Sequence, residues 1–279
     1  MRLVAASAIA YLIPVGAALA LAHGSWAIGP SLPAVDGGSG IAALNGDTAY
    51  VTRLAGSSTR LEQRAAGQTA RTLMLDGGWG IQLATVNGAL TGLSPNGRVL
   101  VLSDYVQPDG SLRARSRFAV VDTGTLTLRS EISLRGDFSV DALSPDGELL
   151  YLIHHVTSTG TTKYQVRVYD LRTRRLLPGV IADKRQAGWL MTGFPVSRAE
   201  TPSGSWVYTL YRQDDNYPFI HALDTVHHTA VCIGLPADWT TAWISTARLK
   251  LGAGKLTVAT KSGQTRFVLD TRTFRVSTP

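Results

Sequence analysis

The chain has 279 residues, 44% of them hydrophobic and 17% charged, a composition that fits a globular protein with a sizeable core and excludes a disordered or collagen-like one. Its formal charge of +7 rests on 27 Lys and Arg against 20 Asp and Glu, and arginine supplies most of the cations. Such an excess speaks to solubility and to weak association with anionic polymers or headgroups, not to a reaction.

The first 22 residues, MRLVAASAIAYLIPVGAALALA, carry one charge, Arg2, then a continuous apolar run that ends in the small-residue pattern Ala20-Leu21-Ala22. This is the form of a secretory signal peptide, with cleavage expected near His23. An uncleaved membrane anchor is the alternative, because about twenty apolar residues also span a bilayer. Either reading places the remainder outside the cytoplasm. Residues 23–40, with the glycine-rich DGGSG at Asp36–Gly40, form a leader, and 41–279 form the main domain.

From residue 41 onward the sequence repeats. AALNGDTAYVTR, TGLSPNGRVLVLSD, DALSPDGELLYLIH, AETPSGSWVYTLYR and ARLKLGAGKLTVAT each place a turn before an apolar alternating run. Their turn glycines, Gly46, Gly97, Gly147, Gly204 and Gly254, lie 51, 50, 57 and 50 residues apart, which is a period. A second marker runs in phase with it: AVVDTGTLTLR, RVYDLRTRRLL, HALDTVHHTAV and FVLDTRTFRV hold Asp122, Asp170, Asp224 and Asp270 at hairpin turns. Asp side chains accept local backbone N–H bonds and hold such turns. The first repeat has no counterpart between Thr52 and Leu75.

Each unit of about fifty residues predicts four antiparallel strands, the anatomy of a propeller blade. The repeats resemble those of the YVTN (YncE-like) and WD40-like (TolB-type) β-propeller families, whose blades carry SPDG between inner strands and VxDxxT at the outer hairpin. LSPDGELLYL with VRVYDLRT, from the third repeat, is the best match, and the resemblance covers residues 41–276. It implies an all-β propeller of about five blades. Six are allowed if residues 25–39 and 181–194 add strands, and ring closure should leave only short, protected strand edges. The leader is expected to track along the ring or to lend a strand to the last blade. The propeller scaffold serves enzymes, binders and assembly factors alike, so it implies no single function.

Candidate sites follow from the connections between blades, where propellers vary. Trp79, Phe138, Trp189, Trp239 and Trp243 all fall there, between an outer strand and the next inner one, and are expected to face one end of the ring. A rim of aromatics suits sugar rings or a hydrophobic peptide. The bland alternative is that they wedge between blades. Asp141, His154 and Asp214 are the best candidates for a channel metal or base, the last in the acidic loop RQDDNYPF, whose oxygens would suit calcium.

Other chemistry lacks its motif. There is no G-x-S-x-G elbow, no zinc spacing, no P-loop after DGGSG and no nucleic-acid motif around the basic LRTRRL. Cys232 is the sole cysteine, so no internal disulfide can form, and its setting TAVCIGL reads as a buried strand. The sequence therefore predicts an exported, monomeric, non-catalytic propeller without a cofactor, binding an envelope protein or glycan. A metal-dependent, lactonase-like hydrolase with its site in the channel is the alternative.

Overall fold

The computed structural model describes residues 32–44, 46–105, 111–157, 163–186, 190–213, 218–236 and 242–279. The expected signal or anchor segment, Trp189, Asp214 and Trp239 lie outside these residues.

Five antiparallel sheets follow one another along the chain, one per sequence repeat. The first blade is Ile41–Ala42, Thr48–Ala55, Ser58–Ala65 and Gln68–Asp76. The second is Trp79–Leu83, Val99–Asp104, Arg115–Asp122 and Thr127–Arg135, and the third Asp137–Leu143, Leu149–Thr157, Lys163–Asp170 and Arg175–Leu176. Phe194–Glu200, Trp206–Arg212, Phe219–Asp224 and Thr229–Gly234 make the fourth. Arg248–Gly252, Lys255–Ala259, Thr265–Asp270 and Val276–Ser277 make the fifth. In blades one, four and five each strand pairs only with its neighbours in sequence, and this meander defines a β-propeller of five blades. The connection expected to hint at a sixth blade instead returns to the third: Met191–Thr192 pairs with Lys163 and Tyr164, and Ile181 bridges Val166.

The two sequence markers stay in phase because they are bonded to each other. Asp122, Asp170, Asp224 and Asp270 accept backbone N–H groups two or three residues on, at 2.8–3.0 Å, as the turn chemistry requires. The next residue then ties this turn to the glycine turn of the same blade. The hydroxyls of Thr123, Thr225 and Thr271 donate to the carbonyls of Gly97, Gly204 and Gly254 at 2.5, 2.6 and 2.8 Å. The third blade has Leu171 there and keeps only a backbone bond, Leu171 N to Glu148 O at 2.9 Å. In the first blade, which lacks the Asp, the two-residue turn Ala66-Gly67 with φ of 49° and 78° closes the outer hairpin.

Four apolar clusters link blade one to two, two to three, three to four and four to five. Among the described residues no such cluster links blade five to blade one, so the expected ring closure is not sealed by a core. The described part of the leader pairs with the second blade rather than with the last. Ala34–Val35 pairs with Ile81 and Gln82 on the first strand of the second blade.

The glycine turns of blades two to four crowd together. Asn96 Nδ2 donates to Asp146 O at 2.8 Å, and a Cβ added to Gly204 would lie 2.0 Å from Pro95 Cγ. Gly204 also has φ of +70°, whereas Gly97, with φ of +69°, would meet nothing within 4 Å. Gly97→Ala is therefore expected to cost about 1–2 kcal/mol, the left-handed penalty alone. Gly204→Ala should cost roughly 1–3 kcal/mol more, because the methyl meets the proline ring of another blade. Equal urea midpoints for the two variants would refute this contact.

Candidate functional site

The channel is the natural place to look for chemistry in a propeller, and here the chain itself fills it. After Leu83 the first strand of blade two breaks off into residues 84–89, then returns as Leu90–Thr91 to pair with its own first half. This loop crosses to the far side: Val86 N donates to Pro195 O at 2.9 Å, and Asn87 Nδ2 to Ala247 O at 3.4 Å. It is thereby pinned at the starts of the first strands of blades four and five. The leader packs beside it, its Leu32 carbonyl accepting from Gln82 Nε2 at 2.6 Å. Beside it lies a cavity of about 40 Å³ lined by Leu32, Leu83, Ser139, Asp141, His155, Tyr164 and Tyr211 among others, a volume on the scale of a water molecule or two.

Asp141 lines this cavity, but its charge is already matched. Arg198, on the first strand of blade four, donates to Asp141 Oδ1 at 2.8 Å and to its carbonyl at 2.7 Å, while its Nε reaches Glu200 at 2.8 Å. Burial works against the Arg198 charge, yet Glu200 and Asp141 hold its pKa above the usual arginine value. Both members of the Asp141–Arg198 pair are buried. The pair cross-links blades three and four.

His154 is not brought to Asp141. Alternation along Leu149–Thr157 sends it to the other face from His155, where it stacks on Phe138 at 4.2 Å with ring planes 7° apart and meets Gln165 Nε2 at 3.2 Å. Burial lowers its pKa. The buried neighbour His155 faces the cavity with an Nδ1 that meets no partner, and burial pushes its pKa down to about 4, leaving it neutral at ordinary pH. Among the described residues no three His, Cys, Asp or Glu side chains are grouped to hold a metal ion.

The expected aromatic rim needs correcting at two positions. Trp79 is 1% exposed and Phe138 is 2% exposed, so neither ring offers a face to a partner. Both wedge between blades, and the sequence device that seats them went unread. Thr59 and Ser116, each the second residue of a third strand, accept the backbone N–H of Trp79 and Phe138 at 2.8 Å. The same hydroxyls donate to the carbonyls of Gly77 and Gly136 at 2.9 Å. A small hydroxyl two residues into one strand, matched to a G-x-aromatic connector twenty residues on, is the legible signal. Trp243, in the short helix Ala242–Thr246, is half-buried, with Arg266 5.4 Å from its ring centroid.

Cys232 is buried in a second cavity of about 110 Å³ between blades three and four. Burial raises its thiol pKa to about 12, so it stays protonated and unreactive. Beside it, Asp183 accepts Cys232 N at 2.9 Å and two bonds from Arg185 Nε, at 2.9 and 3.1 Å. Arg185 is first among the groups that bring the Asp183 pKa down to about 2. These groups fasten the connection between the blades.

Fold and site together define a β-propeller in which residues 84–89 cross from the second blade to the fourth and fifth. No protein-family profile matches the sequence, and no curated protein matches it. Among solved structures it is similar to TolB from Acinetobacter baumannii, at 10% identity over 88% of this chain and 56% of that one, with a TM-score of 0.43. It is also similar to hydrazine synthase from Kuenenia stuttgartiensis, at 12% identity over 82% and 75% of the two chains and a TM-score of 0.41. For a puromycin-hydrolyzing peptidase of Mycobacterium tuberculosis the values are 14%, 86%, 37% and 0.45. The chain spans little more than half of TolB and little more than a third of the peptidase. Likenesses this distant carry no argument about function, and the propeller rests on the five sheets themselves.

Proposed function

We propose that this chain, with YVTN- and WD40-like repeats, is an exported, non-catalytic propeller that binds a protein or glycan partner at the cell envelope. The observation that supports this reading is the filled channel. Residues 84–89 cross it, Arg198 neutralises Asp141, and the cavity beside Asp141 measures about 40 Å³. A binding protein needs no channel, because its inter-blade loops and outer faces are free to make contact. Trp189, Trp239 and Trp243, in those connections, are the contacts this reading retains from the aromatic set. No observation favours the hydrolase reading, since Asp141 is ion-paired and His154 faces away from it.

Capture from a native envelope extract tests the proposal, with the full-length chain in detergent as bait. A specific partner should be retained by the native chain and lost with the Trp189→Ala/Trp239→Ala variant. Recovery of nothing above an unrelated bait would refute the binding reading.

A further inference from the structure

Among the described residues the two terminal blades each turn one sheet face away from the apolar clusters, and both faces carry cations; on the first-blade face Val51, opposite Glu62, is itself buried. In the fifth blade, Leu249 and Leu256 point toward the fourth blade and join its core. Strand alternation therefore turns Arg248, Lys250 and Lys255 the other way, and all three are exposed. Arg248 and Lys250 lie on the blade's first strand, where a following blade would be expected to cover them. In the first blade, Tyr50 and Leu61 face the second blade. The opposite face carries Arg53, Arg60 and Arg64, whose guanidinium nitrogens lie 3.4, 3.2 and 2.7 Å from the carboxylate of Glu62. Glu62 is nearly buried beneath them, while Arg53 and Arg60 keep 44% and 48% of their side-chain surface in solvent. The six cations of the two faces thus stand against two carboxylates, Glu62 and the Asp270 that pairs across from Lys255 and holds its own turn, on a chain whose whole formal charge is +7.

This charge pattern selects the occupant. A second copy would set like charge against like, and the apolar first 22 residues offer guanidinium groups nothing to bond. Arginine and lysine are donors only, so a fitting ligand is rich in acceptors and carries anions. A peptide strand would bring a backbone N–H at nearly every residue, and these faces have little to accept it. A carboxylated sugar chain brings hydroxyls, ring oxygens and repeated anions. Glu62 already shows that the first-blade face accepts a carboxylate, in the charge-assisted pairing that arginine favours.

We propose that the exposed cations on these faces of the first and fifth blades bind an acidic glycan bearing repeated carboxylates. This rests on the reading of the chain as a binding propeller and names its ligand class and site. Polygalacturonate titrated into the full-length chain is the probe, with neutral dextran and poly-glutamate as separate arms. Arg248→Glu/Lys250→Glu is the test variant, and Arg172→Glu/Arg175→Glu, on the outer turn of the third blade, makes the same charge change elsewhere.

Polygalacturonate should bind the native chain, weaken as salt rises, and lose about ten-fold or more in affinity with the test variant. The control variant should stay within about two-fold of the native chain, and dextran should not bind. Equal loss in both variants would reduce the effect to net charge and overturn the proposal. Absence of polygalacturonate binding would overturn it too, as would tighter binding of poly-glutamate. If the glycan fails while an envelope partner is still captured, the binding reading stands and only the glycan assignment falls.

Discussion

Replacing Arg198 by Met is expected to cost about 3–5 kcal/mol of unfolding free energy. Arg198 is buried and its guanidinium serves three acceptors: Asp141 Oδ1, the Asp141 carbonyl and Glu200. Deleting it leaves the Asp141 carboxylate, 6% exposed, in the channel wall without its counter-charge. Glu200 is more exposed and falls back on water. The loss therefore comes chiefly from one stranded carboxylate.

That account has a specific corollary. Adding Asp141→Asn to Arg198→Met removes the stranded charge, and the double variant should regain at least half of what the single one lost. Urea denaturation followed by circular dichroism, run on both singles and the double, measures the coupling between the two positions. Additive losses would mean that the pair is not linked in the folded protein, and the closed-channel description would fail with it.

The period, the strand order and the turns were all legible, because each rests on local chemistry that repeats. Asp122, Asp170, Asp224 and Asp270 announce their hairpins through side-chain bonds to residues two or three positions away, and such bonds need no knowledge of the rest of the fold. What could not be read were contacts between repeats. The sequence of residues 84–89, ATVNGA, says nothing of a crossing to Pro195 and Ala247, more than a hundred residues away. The place of Asp141 in the repeat directs it toward either the channel or the next blade, but its partner Arg198 lies 57 positions on, in a repeat whose neighbours give no hint of pairing. The aromatic residues failed for a related reason. Trp79 and Phe138 do stand at the heads of their blades, while the choice between wedge and rim depends on how closely adjacent sheets approach. Trp79 and Phe138 resolve that choice toward the interior.

Trp79→Ala is the second large effect, expected at about 3–5 kcal/mol, the range for deleting a buried Trp or Phe ring from a packed core. The ring packs in the cluster that joins blades one and two, donates Nε1–H to Asp76 O at 2.7 Å, and lies under Arg117, whose guanidinium carbon is 4.9 Å from the ring centroid. A half-buried ring such as Trp243 should lose less than half as much. The chain of inter-blade clusters makes the form of the loss informative. Among the described residues the first blade shares an apolar core only with the second, so weakening that one interface should release the first blade before the rest. Hydrogen exchange on Trp79→Ala should then show faster exchange along Ser58–Ala65 and little change along Phe219–Asp224 in the fourth blade. A uniform rise over all five blades would instead mean that the propeller unfolds as one cooperative ring, with the first blade held from both sides.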